Sequence, residues 1–190
     1  SVGSIQPRKN LGRLAQAYAR LRDRLPENEL PQLVIVGKRA WLYRETLREI
    51  EQLRTGDCVI ITGYVPESDL PALYSGATCF VYPSYFEGFG LPPLEAMKCG
   101  APVITGDRTS LPEVVGDAGL LVNPFDVDAI TLAIASVITD SKLRSDLSFK
   151  SLNRARMFDW RQTAKRTLEV YREAADNGGP VALASGSAVL

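Results

Sequence analysis

Short apolar runs alternate with longer stretches of mixed polarity along most of the chain. Runs of this kind, rich in Val and Ile, are typical of buried strands. The six runs are Ser1–Ser4, Leu33–Val36, Val59–Ile61, Thr78–Tyr82, Val103–Thr105 and Gly119–Val122. Strands that alternate with helices are typical of an open parallel sheet with helices on both faces. We therefore predict an α/β, Rossmann-like fold built on a six-stranded sheet.

The stretches between these runs have helical periodicity. Asn10, a good N-cap residue, precedes a segment whose leucines recur at helical spacing as far as Leu25. Further helices are predicted at 41–53, behind Ser68 and Asp69 up to Tyr74, at 92–99, after Ser110, and at 127–139, 141–157 and 160–175. No linker or internal repeat interrupts residues 1–177, which we predict to be one domain. Residues 178–190 are mostly small and lack periodicity, which predicts an unstructured tail.

The charge balance narrows the classes of function. The 190 residues include 22 Lys and Arg and 22 Asp and Glu, so the formal net charge is zero. Such a chain has no long-range field for nucleic acid or an anionic membrane. No apolar run reaches the roughly 18 residues that a membrane-spanning helix needs. We expect a cytoplasmic protein with no nucleic-acid partner and no transmembrane segment.

Histidine is absent from the sequence, and its absence removes several kinds of chemistry. Ser–His and Cys–His nucleophile systems and His-ligated zinc are excluded within this chain. Cys58, Cys79 and Cys99 lack C-x-x-C spacing, which favours reduced thiols over disulfides or zinc ligands. Any proton transfer would use a carboxylate, a lysine, a tyrosine or a group from another domain.

A glycine loop separates the fourth run from a short predicted helix. Gly88 and Gly90 lie in this loop, and Pro92 and Pro93 occupy the helix start, where a missing N–H costs little. Free amides and the positive end of a helix dipole would meet there, which suits an anion. A lone G-x-G motif marks a simple change of chain direction about as often as it marks a binding site.

Two carboxylates and a basic pair add to that loop. Glu87 and Glu95 bracket the glycines, and carboxylates accept hydrogen bonds from hydroxyls. With the strand order 3-2-1-4-5-6, the loops after strands one and four border the ligand crevice. Arg8 and Lys9 lie in the first of these loops, and the glycines lie in the second. An anion site flanked by hydroxyl acceptors favours a sugar nucleotide.

The string Glu87-Gly-Phe-Gly-Leu-Pro-Pro-Leu-Glu95 resembles the E-x7-E segment of the family 4 (group 1) glycosyltransferases. That resemblance implies a retaining enzyme with the GT-B fold of two Rossmann-like domains. The segment from Val2 to Leu11 is similar to the loop that opens the donor-binding domain of these enzymes. Ser4 stands after Gly3 where some members have an arginine, so one phosphate contact is either lost or supplied by Arg8.

The resemblance also implies roles for individual residues. Lys9, and Arg8 after it, would contact the donor diphosphate and stabilise the charge of the leaving group. Glu87 would face the donor sugar as a catalytic residue, and Glu95 would hold the ribose hydroxyls. Further donor contacts are expected, largely through the backbone, from Gly3, Gly37, Lys38, Tyr64, Val65, Gly88, Phe89, Gly90 and Leu91.

No metal site or cofactor is predicted. Asp126-Val-Asp128 has the spacing of the D-x-D metal motif of the other large glycosyltransferase fold, GT-A. Here the pair opens a predicted helix, where aspartates cap amides and complement the dipole. We therefore interpret both aspartates as structural, and expect fixed cations and amides to replace a metal. Glu113 is likewise interpreted as structural, in a capping box with Ser110, while an approach of the segment 108–110 to the crevice stays open.

The resemblance covers residues 2–175, which correspond to the donor-binding half of such an enzyme. We expect a missing N-terminal acceptor domain, which could place the enzyme at a membrane surface, and little transfer by this half alone. The donor is expected to be a GDP-mannose-like or UDP-linked hexose. Two alternatives remain open: a non-catalytic nucleotide-sugar binding module, and a GT-B nucleotide-sugar epimerase. A flavodoxin-like regulator is disfavoured, because no acidic cluster ends the first strand.

Overall fold

The computed structural model describes residues 1–26, 29–53 and 55–177. The strands are β1 (Leu33–Val36), β2 (Val59–Gly63), β3 (Phe80–Tyr82), β4 (Val103–Gly106) and β5 (Gly119–Val122). The helices are α1 (Leu11–Arg22), α2 (Tyr43–Gln52), α3 (Leu70–Ser75), α4 (Leu91–Lys98), α5 (Leu111–Val115), α6 (Val127–Thr139), α7 (Ser141–Ala155) and α8 (Trp160–Asn177). Strands and helices alternate up to α6, as the apolar runs predict. The α/β fold class with parallel sheets is confirmed.

All strand pairings are parallel. β1 pairs with β2, and β4 lies between β3 and β5 in a second set of three strands. Parallel neighbours need a crossover connection, and helices supply it in this chain. The carboxyl ends of the strands in each set therefore lie at one edge, where the loops that carry the candidate site leave the sheet.

The prediction of a sixth strand at Ser1–Ser4 is wrong. This segment makes isolated parallel bridges, Val2 with Val36 and Ile5 with Arg39, instead of a regular ladder. Two glycines are the physical reason. A Cβ on Gly37 would lie 1.9 Å from the carbonyl oxygen of Gly3, and both glycines have positive φ angles, +149° for Gly3 and +154° for Gly37. The two segments still exchange backbone hydrogen bonds, such as those from Gly3 to Val36 and from Ile5 to Lys38 at 2.8 Å, but the irregular backbone at the two glycines interrupts a regular ladder.

The two faces of β3 contact different helices. Val81 belongs to a buried cluster with residues of α1 and α6, such as Leu14 and Ile134. Its neighbours Phe80 and Tyr82 point the other way, and the ring of Phe80 packs against Tyr74 of α3. Side chains alternate along a strand, so a fully buried strand is covered by helices on both faces.

Several predicted helix starts have the right position but different hydrogen bonds. Asn10 precedes α1, yet its side chain does not cap the helix and its φ is +59°. Its amide instead donates to the carbonyl oxygens of Pro83 (3.0 Å) and Pro124 (2.6 Å). α2 begins at Tyr43, later than predicted, and Leu42 is 41% exposed rather than inward-facing.

The chain divides into two compact units, and the second begins at Arg156. Within it, α8 begins behind Asp159, whose carboxylate accepts a hydrogen bond from the amide of Arg161 at 3.1 Å. The single-domain interpretation of residues 1–177 stays a prediction. The predicted tail, residues 178–190, lies outside the described residues. Among the helices that the structure describes, none is long and apolar enough to cross a membrane.

Candidate functional site

Lys9 is a buried lysine at the carboxyl edge of the sheet. It ends a single 3₁₀ turn, Pro7–Lys9, and the left-handed backbone of Asn10 then directs the chain into α1. The side chain is 7% exposed. Its Nζ lies 2.8 Å from Oε1 of Glu87 and also donates to the hydroxyl of Tyr82. Lys9 is therefore fixed by the end of β3 and the loop after it, although it lies far from both in sequence.

Arg8 binds the other oxygen of the same carboxylate. Its Nη1 lies 2.5 Å from Oε2 of Glu87 and 3.0 Å from the carbonyl oxygen of Phe86. The backbone carbonyl of Arg8 accepts hydrogen bonds from the Ser84 hydroxyl (2.8 Å) and the Tyr85 amide (3.2 Å). The basic loop and the glutamate loop are thus joined by both side-chain and backbone bonds.

The resulting cluster has two cations and one carboxylate, with Lys9 and Glu87 buried and Arg8 partly exposed. Burial opposes ionisation of Glu87, but the hydrogen bonds that it accepts, led by that from Lys9, lower the pKa of its carboxyl below the ordinary value of 4.5. Burial also lowers the pKa of the Lys9 ammonium, against the opposing effect of Glu87. The cluster keeps a net positive charge, which suits a polyanion at its open side.

The glycine loop presents backbone amides beside this cluster. In the part of the chain that the structure describes, the amides of Gly88, Gly90 and Leu91 have no protein acceptor. Pro92 and Pro93 lack N–H groups, so this helix end offers amides only from the loop and from Leu91. Gly90 has φ +109°, a conformation that favours glycine. A Cβ on Gly88 would meet nothing within 4 Å, so the loop is open there.

Glu95 lies about one turn into α4, and its side chain is exposed. Its Oε2 accepts a hydrogen bond of 2.9 Å from the hydroxyl of Tyr74. No contact joins Glu95 to Lys9, Arg8 or Glu87 in the described residues. Glu95, the residue predicted to bind the ribose, is therefore separate from the basic cluster.

Other predicted site residues lie in the first segment, which contains Gly3, and on the loops after β1 and β2. A Cβ on Gly3 would lie 3.4 Å from Cε of Lys9, so Gly3 borders the basic cluster. The amide of Gly37 donates to the carbonyl oxygen of Gly63 at 2.8 Å. Lys38 places Nζ 4.3 Å from the centroid of the exposed Tyr64 ring. Val65 follows Tyr64 and is half-buried.

The loop after β4 supports Glu87 through Thr109 and Ser110, part of the segment that the sequence left open as a neighbour of the crevice. The Glu87 amide donates to Oγ1 of Thr109 (3.0 Å), and Thr109 has a positive φ of +55°. The predicted capping box at Ser110 does not form, because the Ser110 hydroxyl donates to the carbonyl oxygen of Glu87 at 3.0 Å. The Ser110 hydroxyl bonds to an acceptor that is distant in sequence and does not cap its own helix, and residue spacing along the sequence does not reveal such a bond.

The two aspartates with D-x-D spacing take part in structural contacts. Asp126 caps α6 by accepting from the amide of Ala129 at 3.0 Å, as predicted. Asp128 pairs with Arg20 at 2.5 Å and lies 3.9 Å from Arg24. In the described ranges, no three His, Cys, Asp or Glu side chains are grouped so as to hold a metal ion.

The described residues also enclose an apolar cavity. Its volume is about 380 Å³, and Val2, Val34, Cys79 and Val81 are among its lining residues. The charged site residues do not line it. The cavity and the candidate site are therefore separate.

The sequence profile described as "Glycosyl transferases group 1" matches residues 1–154. The O-antigen chain mannosyltransferase B of Escherichia coli is 42% identical over 175 residues, which cover 90% of this chain and 44% of that protein. A D-inositol 3-phosphate glycosyltransferase of Kribbella flavida is 35% identical over 182 residues, 92% of this chain and 43% of that protein. The chain thus spans less than half the length of these curated relatives.

Solved structures agree with the family match. Sucrose-phosphate synthase from Thermosynechococcus elongatus superposes with a TM-score of 0.80 at 28% identity, over 93% of this chain and 45% of that one. HepE from Anabaena, solved with UDP and glucose, superposes with a TM-score of 0.78 at 22% identity, over 90% of this chain and 48% of that one, and shows the shared fold alone. On the profile match and the identity to these relatives, this chain belongs to the group 1 glycosyl transferase family.

Proposed function

We propose that this chain is the donor-binding domain of a metal-independent retaining glycosyltransferase. The enzyme would move a hexosyl group from a nucleotide-diphosphate sugar to an acceptor hydroxyl. The observation that carries the proposal is the cluster in which Lys9 and Arg8 hold the two oxygens of the buried Glu87, beside the amides of Gly88, Gly90 and Leu91, which have no acceptor in the described residues. This arrangement offers both a grip for a diphosphate and an acceptor for sugar hydroxyls.

The basic pair would act on the leaving group. Negative charge grows on the diphosphate as the bond to the sugar breaks, and fixed cations and oriented amides stabilise it without reorganising. Lys9 is already immobilised between Tyr82 and Glu87, so little entropy is lost when it meets a phosphate oxygen. Removal of one such preorganised donor typically costs about 10²–10³ in rate.

Glu87 would have two functions in this scheme. In the free protein it neutralises part of the charge of both cations, and without it the buried Lys9 would have no counter-ion. When a diphosphate binds, the phosphate takes over part of that pairing, and the carboxylate becomes available to hydroxyls of the donor sugar. Glu95 would accept hydrogen bonds from the ribose, and the loops with Lys38 and Tyr64 would border the base.

The donor is proposed to carry a hexose on GDP or UDP. The 42% identical relative is named a mannosyltransferase, which favours a GDP-mannose-like donor. Since the chain spans less than half of its relatives, we place the acceptor site and the remaining catalytic groups in an N-terminal domain of the same enzyme. We propose a cytoplasmic location and little transfer by this chain alone.

Calorimetric titration of the 190-residue chain with GDP, UDP and ADP tests the proposal. We expect one of these nucleotides to bind in EDTA with an affinity that added Mg²⁺ does not improve. No binding of any of the three, or binding only with a divalent ion present, would overturn it. Release of free nucleotide from a GDP- or UDP-hexose together with epimerised sugar would favour the epimerase alternative.

A further inference from the structure

Three aromatic rings form a buried row beneath the carboxyl edge of the sheet. Tyr74 comes from α3, whereas Phe80 and Tyr82 lie two positions apart on one face of β3. The ring centroids of Tyr74 and Phe80 are 5.3 Å apart in an edge-on contact, and those of Phe80 and Tyr82 are 5.8 Å apart and stacked. All three side chains are buried, so their rotamers are fixed by packing.

The two tyrosine hydroxyls of this row form hydrogen bonds with two different charged side chains of the candidate site. Tyr74 donates to Oε2 of Glu95 at 2.9 Å, and the hydroxyl of Tyr82 accepts from the ammonium of Lys9. The Lys9 Nζ also lies 4.6 Å from the centroid of the Tyr82 ring. A rigid apolar unit therefore contacts both the group expected to meet the ribose and the group expected to meet the diphosphate.

Each contact leaves the charged group with capacity for a ligand. Among the described residues, Tyr74 supplies the one hydrogen bond that the exposed Glu95 carboxylate accepts, so the other oxygen faces solvent. Lys9 has three N–H donors, and its recorded partners, Tyr82 and Glu87, take two of them. Burial first, and Glu95 second, raise the pKa of Tyr74, so its hydroxyl keeps the proton that it donates.

We propose that Tyr74 and Tyr82 are positioning residues, which hold Glu95 for the ribose and Lys9 for the diphosphate of the bound nucleotide. This inference rests on the proposed function. It adds that one buried aromatic row orients both the ribose-binding and the phosphate-binding side chains. The two hydroxyls that do so, on Tyr74 and Tyr82, can be removed one at a time by substitution. Phenylalanine keeps each ring and its packing while removing only the hydroxyl.

A purely structural role makes a different prediction. Buried tyrosine hydroxyls normally find a hydrogen-bond partner, whatever the function of the site. If that were all, each Tyr→Phe variant would lose stability without any loss specific to one part of the ligand. Tyr18 provides the matched control, because it is also buried and its hydroxyl donates to the carbonyl oxygen of Pro31 at 3.0 Å.

The experiment compares three probes on four variants of the full chain. The probes are the best-binding nucleoside diphosphate among GDP, UDP and ADP, its 2′,3′-dideoxy counterpart, and inorganic pyrophosphate. The variants are Tyr74→Phe, Tyr82→Phe, Tyr18→Phe and Glu95→Gln. Dissociation constants are measured by calorimetry, and thermal unfolding of each variant is measured alongside.

We expect Tyr74→Phe to weaken the ribonucleotide about three- to tenfold, the usual effect of one lost hydrogen bond, and to leave the dideoxy nucleotide and pyrophosphate unchanged. Tyr82→Phe should weaken all three probes by a similar factor, because Lys9 meets the part that they share. Tyr18→Phe should lower the unfolding temperature and change no dissociation constant.

The outcomes separate this inference from the function on which it rests. If Glu95→Gln abolishes the preference for the ribonucleotide while Tyr74→Phe and Tyr82→Phe bind every probe as the parent does, the positioning role is wrong and the proposed function stands. If the parent binds no nucleotide, or Glu95→Gln keeps the full ribose preference, the proposed function itself fails at this site. Equal losses in the three Tyr→Phe variants would also contradict positioning, since the Tyr18 hydroxyl bonds to the carbonyl oxygen of Pro31 and not to a charged site residue.

Discussion

Lys9 and Glu87 form an ion pair between a 3₁₀ turn and a glycine loop, with Nζ and Oε1 2.8 Å apart and only 7% of each side chain exposed. Charges this well buried are costly unless each one is paired and hydrogen-bonded. Arg8 and Tyr82 complete the hydrogen bonds of this pair, so the arrangement is tolerated. Because the Lys9–Glu87 pair lies at the sheet edge where the loops meet, we place the proposed site around it.

Replacing Lys9 by Met should remove the main phosphate contact while keeping much of the side-chain volume. We expect affinity for inorganic pyrophosphate and for nucleoside diphosphates to fall about ten- to a hundredfold, the range for hydrogen bonds to charged groups. Calorimetry measures the change. Lys98→Met, at an exposed lysine in the last turn of α4, is the matched control and should bind as the parent does. Equal affinities for the two variants would exclude Lys9 from the site.

Replacing Glu87 by Gln should affect phosphate and sugar in opposite directions. The carboxylate competes with phosphate for Lys9 and Arg8, so its neutralisation should raise pyrophosphate affinity a few-fold. A nucleotide hexose should lose affinity relative to the free nucleotide, because a sugar hydroxyl loses its charged acceptor. The ratio of the two dissociation constants, measured in the same buffer, gives the effect. Weaker pyrophosphate binding in this variant would show that Glu87 supports the anion site instead of competing for it.

The Glu87 carboxylate should make stability depend on pH on the acid side. Its pKa in the folded protein is lowered below 4.5, so the folded state gives up the proton more readily than the unfolded state. The stabilisation is therefore complete above 4.5 and is lost as the pH falls through the lower folded pKa. Urea unfolding between about pH 7 and about pH 3 should show a steeper fall for the parent than for Glu87→Gln. Parallel curves would mean that this carboxyl has an ordinary pKa.

The close approach of the first segment to β1 should make Gly37 intolerant of a side chain. A Cβ there would lie 1.9 Å from the carbonyl oxygen of Gly3, in a backbone conformation that L-residues rarely adopt. Gly37→Ala should lower the free energy of unfolding by ~2 kcal/mol or more. Gly88→Ala, whose Cβ would point into open space, should leave that free energy nearly unchanged. Similar unfolding midpoints in urea for both variants would contradict the observed packing.

The fold was largely predictable from patterns of local sequence. Five apolar runs are strands because each combines high β-propensity with flanking turn residues, and the helix at Pro92 begins and ends where its prolines and Gly100 require. The run at Ser1–Ser4 failed because the constraint is tertiary: Gly3 meets Gly37, a residue far away in sequence. Capping at Asn10 and Ser110 failed for the same reason, since distant carbonyl oxygens take their hydrogen bonds.

The charged residues of the candidate site were predictable from the sequence, but the tyrosines that contact them were not. The basic loop and the two glutamates could be found from charge, glycine spacing and family resemblance, and the structure brings Arg8, Lys9 and Glu87 together. The contacts of Tyr74 and Tyr82 with the site could not be predicted from the sequence. An apolar pattern assigns a strand or helix tyrosine to the core and does not indicate the hydrogen-bond partner of its hydroxyl. The roles of the site residues remain predictions that ligand binding must test.

The most direct test is a crystal structure of this chain with a bound nucleoside diphosphate, grown in EDTA. We predict density for the two phosphates between Lys9, Arg8 and the amides from Gly88 to Leu91, with the ribose at Glu95 and no metal ion. A nucleotide located elsewhere on the molecule, or phosphates that bind only through a divalent ion held by aspartates, would contradict the account.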